Sequence, residues 1–139
     1  MIRKIQLFIK EKEKSLYGQG EIDLSRVREE VRSILSEITL PSALLLESPP
    51  FLPPEEYEQL LDTVIRAMEG EGKTHLIVKP GESTVRRAMI KIRQAGKRGV
   101  DKLLVTLPSH NDLSEEGARK YRKKMEAISP IPLLWGPIQ

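Results

Sequence analysis

Cysteine is absent from this 139-residue sequence, which excludes disulfide bonds, thiolate metal ligands and cysteine nucleophiles. No apolar run approaches the roughly 18 residues that a membrane-spanning helix needs. The first residues, MIRKIQLFIKEKEKS, also lack the apolar core and the small-residue cleavage site of a signal peptide. These absences predict a soluble, cytoplasmic protein with no membrane partner, and the length predicts one domain over residues 1–139.

The net charge of +3 conceals an asymmetry along the chain. Residues 1–79 hold 11 Lys and Arg against 14 Asp and Glu, whereas residues 80–139 hold 12 against 6. A basic half either attracts an anionic partner or forms the solvated face of helices, and the second case is the commoner one. The abundance of Lys, Arg and Glu and the scarcity of Asn and Gln are typical of thermophile proteins and carry no information about activity.

Two spacings of apolar residues alternate along the chain. Short apolar runs of strand type occur at 5–9, 43–46, 75–78, 102–107 and 131–136. Between them, a three-and-four spacing predicts amphipathic helices at 24–38, 54–68, 85–95 and 118–128. Because the strands are apolar throughout, a parallel sheet is expected. The sequence therefore predicts an α/β fold of about five strand–helix units.

Five motifs, met in order along the chain, resemble those of one enzyme family. GEIDLSRVREEV (20–31) and LPPEEYEQLLDTVIRAM (52–68) resemble the starts of its first two helices. GESTVRRAMIKIRQAGKRGVDKLLV (81–105) is similar to its third helix and fourth strand. TLPSHNDLSEEG (106–117) matches the motif T-P-Y-Y-N-K-P-S-Q-E-G, and ISPIPLLWGP (128–137) resembles the fifth strand. The family is that of dihydrodipicolinate synthase and N-acetylneuraminate lyase, with the 2-keto-3-deoxygluconate aldolases.

This resemblance implies the first half of a TIM barrel, a (β/α)8 fold of roughly 250 residues. It also implies class I aldolase chemistry, in which a lysine amine forms a Schiff base with pyruvate or another 2-keto acid. The family's G-T-T-G-E loop, which binds the keto-acid carboxylate, corresponds here to LLLESPPF (44–51). The fifth-strand tyrosine of the proton relay corresponds to Gly136, and the Schiff-base lysine lies on a sixth strand, beyond Gln139. We therefore expect the family's reaction to be lost.

The loop after the fourth strand holds the only catalytic candidates, Ser109, His110 and Asn111. The first two replace the paired tyrosines of T-P-Y-Y-N, and only Asn111 agrees with the family motif. His110 at the carboxyl end of a strand would serve as a general base or a ligand contact. A polar loop residue that replaced a tyrosine is the favoured interpretation, so no catalytic role is assigned.

A second candidate is an anion site in KPGEST (79–84), built from Gly81, Ser83 and Thr84. Free backbone N–H groups and hydroxyls at a helix start could hold a phosphate or a carboxylate of a small ligand. Ordinary capping of the helix by Ser83 is the favoured interpretation. His75 is predicted to be structural. No metal-ligand spacing is present, and neither a metal nor a cofactor is predicted.

Basic residues crowd the helical segments 86–102 and 119–124. Neighbouring helices of one layer could present them on a common surface suited to phosphate contacts. No aromatic residues are interleaved with them for base stacking, and no nucleic-acid-binding motif is present. Nucleic acid is therefore a less favoured partner.

Five strands of an eight-stranded barrel leave two bare edges and an uncovered apolar face. We expect one of two solutions: an open, doubly wound sheet with helices on both sides, or pairing with a second copy or a longer barrel homologue. In the second case Leu133, Leu134 and Trp135 would lie at the interface. The leading hypothesis is a non-catalytic, self-associating or partner-binding module. The alternatives are a Schiff-base lyase completed by another chain and an anion or nucleic-acid binder.

Overall fold

A five-stranded parallel sheet with four helices organises the chain, in a computed structural model that describes residues 2–10, 21–38, 42–49, 52–70, 74–80, 85–105 and 114–135. The strands are β1 (Ile2–Ile5), β2 (Ile9–Lys10), β3 (Glu21–Ile22), β4 (Ser42–Glu47), β5 (Thr74–Lys79), β6 (Lys102–Val105) and β7 (Leu133–Trp135). The helices are α1 (Leu24–Glu37), α2 (Pro54–Ala67), α3 (Val85–Gly96) and α4 (Glu115–Ile128). In the described ranges no helix is long and apolar enough to cross a bilayer.

The strands of the main sheet lie in chain order, β1-β4-β5-β6-β7, and every adjacent pair is parallel. The helix α1 connects β1 to β4, and α2, α3 and α4 make the later connections in turn. Parallel strands require such crossovers, and strand neighbours that follow the chain order are those of a barrel. The predicted α/β class and the partial TIM barrel are therefore confirmed.

The pleat of the sheet sends alternate side chains to opposite faces. The strand residues of the hydrophobic core are Ile5, Leu44, Leu46, Leu76, Val78, Leu103 and Val105. Each helix adds buried residues to the same cluster, among them Val31, Leu60, Ile92 and Met125. Ile77 and Leu104, on the other face, are buried but stand outside that cluster. In the described chain the helices thus cover one face only, and the expected doubly wound alternative is wrong.

We call the face of the sheet opposite the helices the inner face. Register places its residues in rows across the strands: Lys4, Leu45, Ile77 and Lys102; then Glu47 and Lys79; then Leu104 and Leu134. Leu45 and Leu134 are half-buried there. The inner face therefore mixes apolar residues with charged ones, which accumulate near the carboxyl ends of β1, β4 and β5.

Helix starts follow the signals in the sequence. The Asp23 carboxylate accepts a hydrogen bond from the Arg26 N–H at 3.3 Å, and the Ser114 hydroxyl accepts one from the Gly117 N–H at 3.0 Å. Pro54 occupies the first position of α2, where its missing N–H costs nothing. Gly70, just after α2, has φ +86°, a left-handed conformation that favours glycine and ends the helix as predicted.

The first strand is displaced from its predicted position at 5–9. It spans Ile2–Ile5, while Ile9 and Lys10 pair antiparallel with Glu21 and Ile22 in a separate two-stranded ribbon. As an edge strand, β1 pairs with one neighbour only, and it carries charges that an apolar window misses. Arg3 pairs with Glu37 at 3.6 Å.

Candidate functional site

The carboxyl ends of β1, β4 and β5 bring three charged side chains together on the inner face. Glu47 Oε2 lies 2.6 Å from Lys4 Nζ, and Glu47 Oε1 lies 3.7 Å from Lys79 Nζ. Glu47 and Lys79 are direct neighbours in the register of β4 and β5. In α/β barrels this end of the sheet is where ligands bind. This Lys4–Glu47–Lys79 triad is therefore the candidate site of the described chain.

The environment of Glu47 favours its ionised form. The hydrogen bond from the Lys4 ammonium lowers the pKa of the Glu47 carboxyl, and the nearby charge of Lys79 lowers it further. Partial burial raises the pKa and offsets part of this effect, but the net shift is downward. Glu47 is consequently a carboxylate at neutral pH, and it forms ion pairs with both lysines.

A cavity of about 430 Å³ opens beside the triad, between the ends of β1 and β4. Its wall includes Lys4, Leu7, Glu47 and Ser48. Sites for small molecules are commonly about 300–1,000 Å³, so the cavity is large enough for a small ligand. A ligand that entered it would meet the Glu47 carboxylate.

A buried lysine of α3 holds the loop after β4 in place through hydrogen bonds to backbone carbonyl groups. Lys91 is only 2% exposed, and its Nζ donates to the carbonyl oxygen of Pro80 at 3.2 Å and to that of Pro49 at 3.4 Å. It also lies 5.4 Å from the centre of the Tyr57 ring. Lys91 thus joins the loops that follow β4 and β5.

Lys91 corrects the expectation that segment 86–102 is a uniformly exposed basic surface. A second correction is Arg98, whose Nε lies 3.1 Å from Asp62 Oδ1 and whose guanidinium lies 3.3 Å from Glu58 Oε2 on α2. Both cations fix α3 against its neighbours. Arg86 and Arg93 remain exposed on α3, as do Lys97 just beyond its end and the basic residues of α4 at 119–124.

His75 lies at the opposite end of the sheet from the triad. Its side chain is exposed, with Nδ1 3.5 Å from Asp101 Oδ1. The other oxygen of Asp101 accepts the Leu76 N–H at 2.7 Å, so this carboxylate joins β5 to the start of β6. The structural role of His75 stays a prediction.

The predicted interface residues Leu133, Leu134 and Trp135 form β7, the outermost described strand beyond β6. All three are half-buried; Leu133 and Trp135 pack against the core, and Leu134 belongs to the inner face. The Trp135 indole N–H donates to Glu126 Oε1 at 3.2 Å, and its ring meets Tyr121 edge to face at 6.1 Å. The indole N–H of Trp135 therefore has a hydrogen-bond partner within the chain, and its ring has an aromatic neighbour.

The other predicted site residues lie outside the described residues: Ser109, His110 and Asn111 in one segment, and Gly81, Ser83 and Thr84 in the other. Their assignments remain predictions. The triad, in contrast, was missed by sequence reasoning although a signal exists: ALLLE (43–47) and HLIVK (75–79) each end in a charge of opposite sign. Because β4 and β5 are adjacent, parallel and aligned at their carboxyl ends, these two charged residues, Glu47 and Lys79, lie side by side.

Comparison with family models gives no match for the chain. A curated 4-hydroxy-tetrahydrodipicolinate synthase from Rhizobium meliloti is 28% identical over 85 residues, which are 61% of this chain and 28% of that protein. Dihydrodipicolinate synthase from Aquifex aeolicus superimposes with a TM-score of 0.76 at 21% identity, over 99% of this chain and 44% of that one. N-acetylneuraminate lyase from Fusobacterium nucleatum gives 0.78 at 14% identity, over 97% and 44%. The chain spans less than half the length of these relatives.

Proposed function

We propose that this chain, which resembles the first half of the dihydrodipicolinate synthase and N-acetylneuraminate lyase family in sequence and fold, is a non-catalytic half-barrel module. It associates with a second polypeptide, a copy of itself or a longer barrel homologue, through the open edge and inner face of its sheet. The proposal has two parts, the loss of keto-acid chemistry and the association, and each is supported by a different feature.

The loop after β4 supports the first part. It corresponds to the loop that binds the keto-acid carboxylate in the family, but LLLESPPF (44–51) has neither the Thr nor the Gly of G-T-T-G-E. Its Glu47 is held in ion pairs with Lys4 and Lys79. The segment therefore lacks the threonine that the family's proton relay uses.

The sheet supports the second part. In the described residues, β1 pairs only with β4 and β7 pairs only with β6, so the outer edges of both present unpaired backbone groups. Ile2 at one edge is 43% exposed, and Leu134 at the other is half-buried on the inner face. A second polypeptide that adds a strand to β7 would pair these groups and cover Leu134.

Light scattering on the purified protein tests the association. We expect a mass of at least two monomers, and we expect Leu134→Glu to reduce it because the new carboxylate would lie in the contact. Ile90→Glu is the matched control, since Ile90 is 39% exposed on α3, away from the proposed contact. A monomeric protein, in the presence and absence of a longer homologue, would refute the association.

Borohydride trapping with pyruvate tests the loss of chemistry. A Schiff base would be reduced to a stable adduct that mass spectrometry detects. We expect no adduct with the chain alone. An adduct that forms only with a longer homologue would favour the alternative of a lyase completed by another chain, and turnover by the chain alone would contradict the proposal.

A second candidate is binding of nucleic acid by α3 and α4. These helices connect three consecutive strands. Arg93 on α3 and Lys97 just beyond it are exposed, as are the basic residues Arg119, Lys123 and Lys124 of α4. Binding through phosphates would weaken steeply as salt rises, because counterions are released. Fluorescence anisotropy with labelled single and double strands at several salt concentrations checks this, and absence of binding at low salt would dismiss it.

A further inference from the structure

Three arginines line a groove on the outer surface of the helical layer. The groove has a volume of about 370 Å³ and lies between α1 and α2. Arg28 and Arg32 reach it from α1, Arg66 reaches it from the last turn of α2, and Glu69 also lies on its wall. This groove is separate from the triad, because it lies on the outside of the helices whereas the triad lies on the inner face of the sheet.

These guanidinium groups have no partner within the described part of the chain. None of the three makes a side-chain hydrogen bond or an ion pair there. Arg3 and Arg98, in contrast, are each paired with carboxylates. Glu69 lies on the wall of the same groove, yet it forms no ion pair with any of the three arginines.

The stability of the helices does not explain the arrangement. Arg28 and Arg32 are four residues apart on α1, so they are neighbours on one face, and like charges at this spacing oppose helix formation. Arg66 gains from the negative end of the α2 dipole, but the two arginines in the middle of α1 have no such benefit. The charges are concentrated at a cost to the fold, as expected of a surface that receives an anion.

We propose that this arginine groove binds the phosphate group of a small molecule. Three guanidinium charges against the single carboxylate of Glu69 leave an excess that matches a phosphate dianion, and the planar fork of arginine suits phosphate oxygens. The Thr63 hydroxyl donates to the Gln59 carbonyl at 2.8 Å, so the donors to the ligand are the arginines. The volume exceeds that of a phosphate ion and leaves room for a small organic group. The site is independent of the function proposed above.

Isothermal titration calorimetry with inorganic phosphate tests the groove, at constant ionic strength adjusted with chloride. We expect saturable binding to the full chain, and Arg32→Gln should weaken it about tenfold because a hydrogen bond to a charged group is lost. Arg26→Gln, which removes the same charge from an exposed position of α1 outside the groove, is the control and should bind like the wild type. Arg32→Lys keeps the charge without the fork and should fall between the two.

A parallel titration with glycerol 3-phosphate separates free phosphate from a phosphate ester. Tighter binding of the ester supports an organic ligand, and equal binding supports phosphate alone. Backbone amide shifts of the wild type provide a readout that does not depend on the folding of any variant, and those of α1 and α2 should move on addition of phosphate. The proposal is overturned if phosphate does not bind, if Arg26→Gln weakens binding as much as Arg32→Gln, or if the shifts occur on other helices.

Discussion

Replacement of Lys91 by Met separates a structural lysine of α3 from an exposed lysine just beyond the end of that helix. Lys91 Nζ lies 3.2 Å from the carbonyl oxygen of Pro80, which is itself buried, and 3.4 Å from that of Pro49. Methionine fills a similar volume but donates no hydrogen bond. The substitution therefore removes the ammonium and leaves the packing of the side-chain stem largely intact.

The magnitude follows from the contacts that are lost. A buried carbonyl that loses its donor costs about 1–3 kcal/mol, and a desolvated cation–π contact such as that with Tyr57 is worth up to about 2 kcal/mol. Relief from burying a charge offsets part of the loss. We expect the free energy of unfolding to fall by about 2 kcal/mol, which corresponds to about 4–8 °C in Tm for a chain of this size.

Urea and thermal unfolding followed by far-ultraviolet circular dichroism measure this change. Lys97→Met, in the exposed turn just after α3, is the control and should stay within about 0.5 kcal/mol of the wild type. If Lys91→Met and Lys97→Met unfolded alike, the ammonium would have no structural role. In that case the assignment of Lys91 to a bridge between the two loops would be wrong.

Three further substitutions test other parts of the fold. Glu47→Gln should lower stability by less than about 1 kcal/mol, because the pair with Lys4 is partly exposed, and a pH series of unfolding curves measures the effect. Since the pKa of Glu47 is lowered in the fold, the difference from the wild type should be full above about pH 5 and disappear as the pH falls through the folded pKa. Gly96→Ala should lower Tm, because an added Cβ would lie 2.6 Å from Cδ of Pro130. Asp23→Ala should cost about 1 kcal/mol in urea unfolding, because α1 loses its N-cap.

Each of these substitutions has a control within the chain. Glu29→Gln removes an exposed carboxylate that has no ion pair in the described residues and should leave the pH dependence unchanged. Gly96→Ala combined with Pro130→Ala should recover stability if the ring is the obstacle. Asp23→Asn keeps an acceptor at the N-cap and should behave like the wild type. Equal effects of a substitution and its control would contradict the corresponding argument.

Much of the fold could be predicted from local patterns, because each pattern reports a local physical requirement. The run ALLL (43–46) forms most of β4, and the three-and-four spacing of Val27, Val31 and Ile34 forms the buried stripe of α1. The position of β1 could not be predicted in this way. Its sequence, IRKI, contains no apolar run, and its charges are paired by Glu37 and Glu47 from distant parts of the chain.

The candidate site was less predictable than the fold. Sequence resemblance pointed to the loop after β4 and predicted that the family's carboxylate-binding residues are replaced there. It did not reveal that Glu47 lies between Lys4 and Lys79, because these residues come from three strands that are far apart along the chain. Arg28, Arg32 and Arg66 likewise meet only because α1 packs against α2.

The sequence alone determined the α/β alternation, the helix starts and the resemblance to half of a barrel, since periodicity and capping depend on near neighbours. Only the tertiary structure decided which cations are used internally and which remain available. Lys91 and Arg98 looked like the other basic residues of their segment, yet one is buried against carbonyl groups and the other is paired with two carboxylates. Charge is a property of the residue, but whether it has a partner depends on which elements pack together.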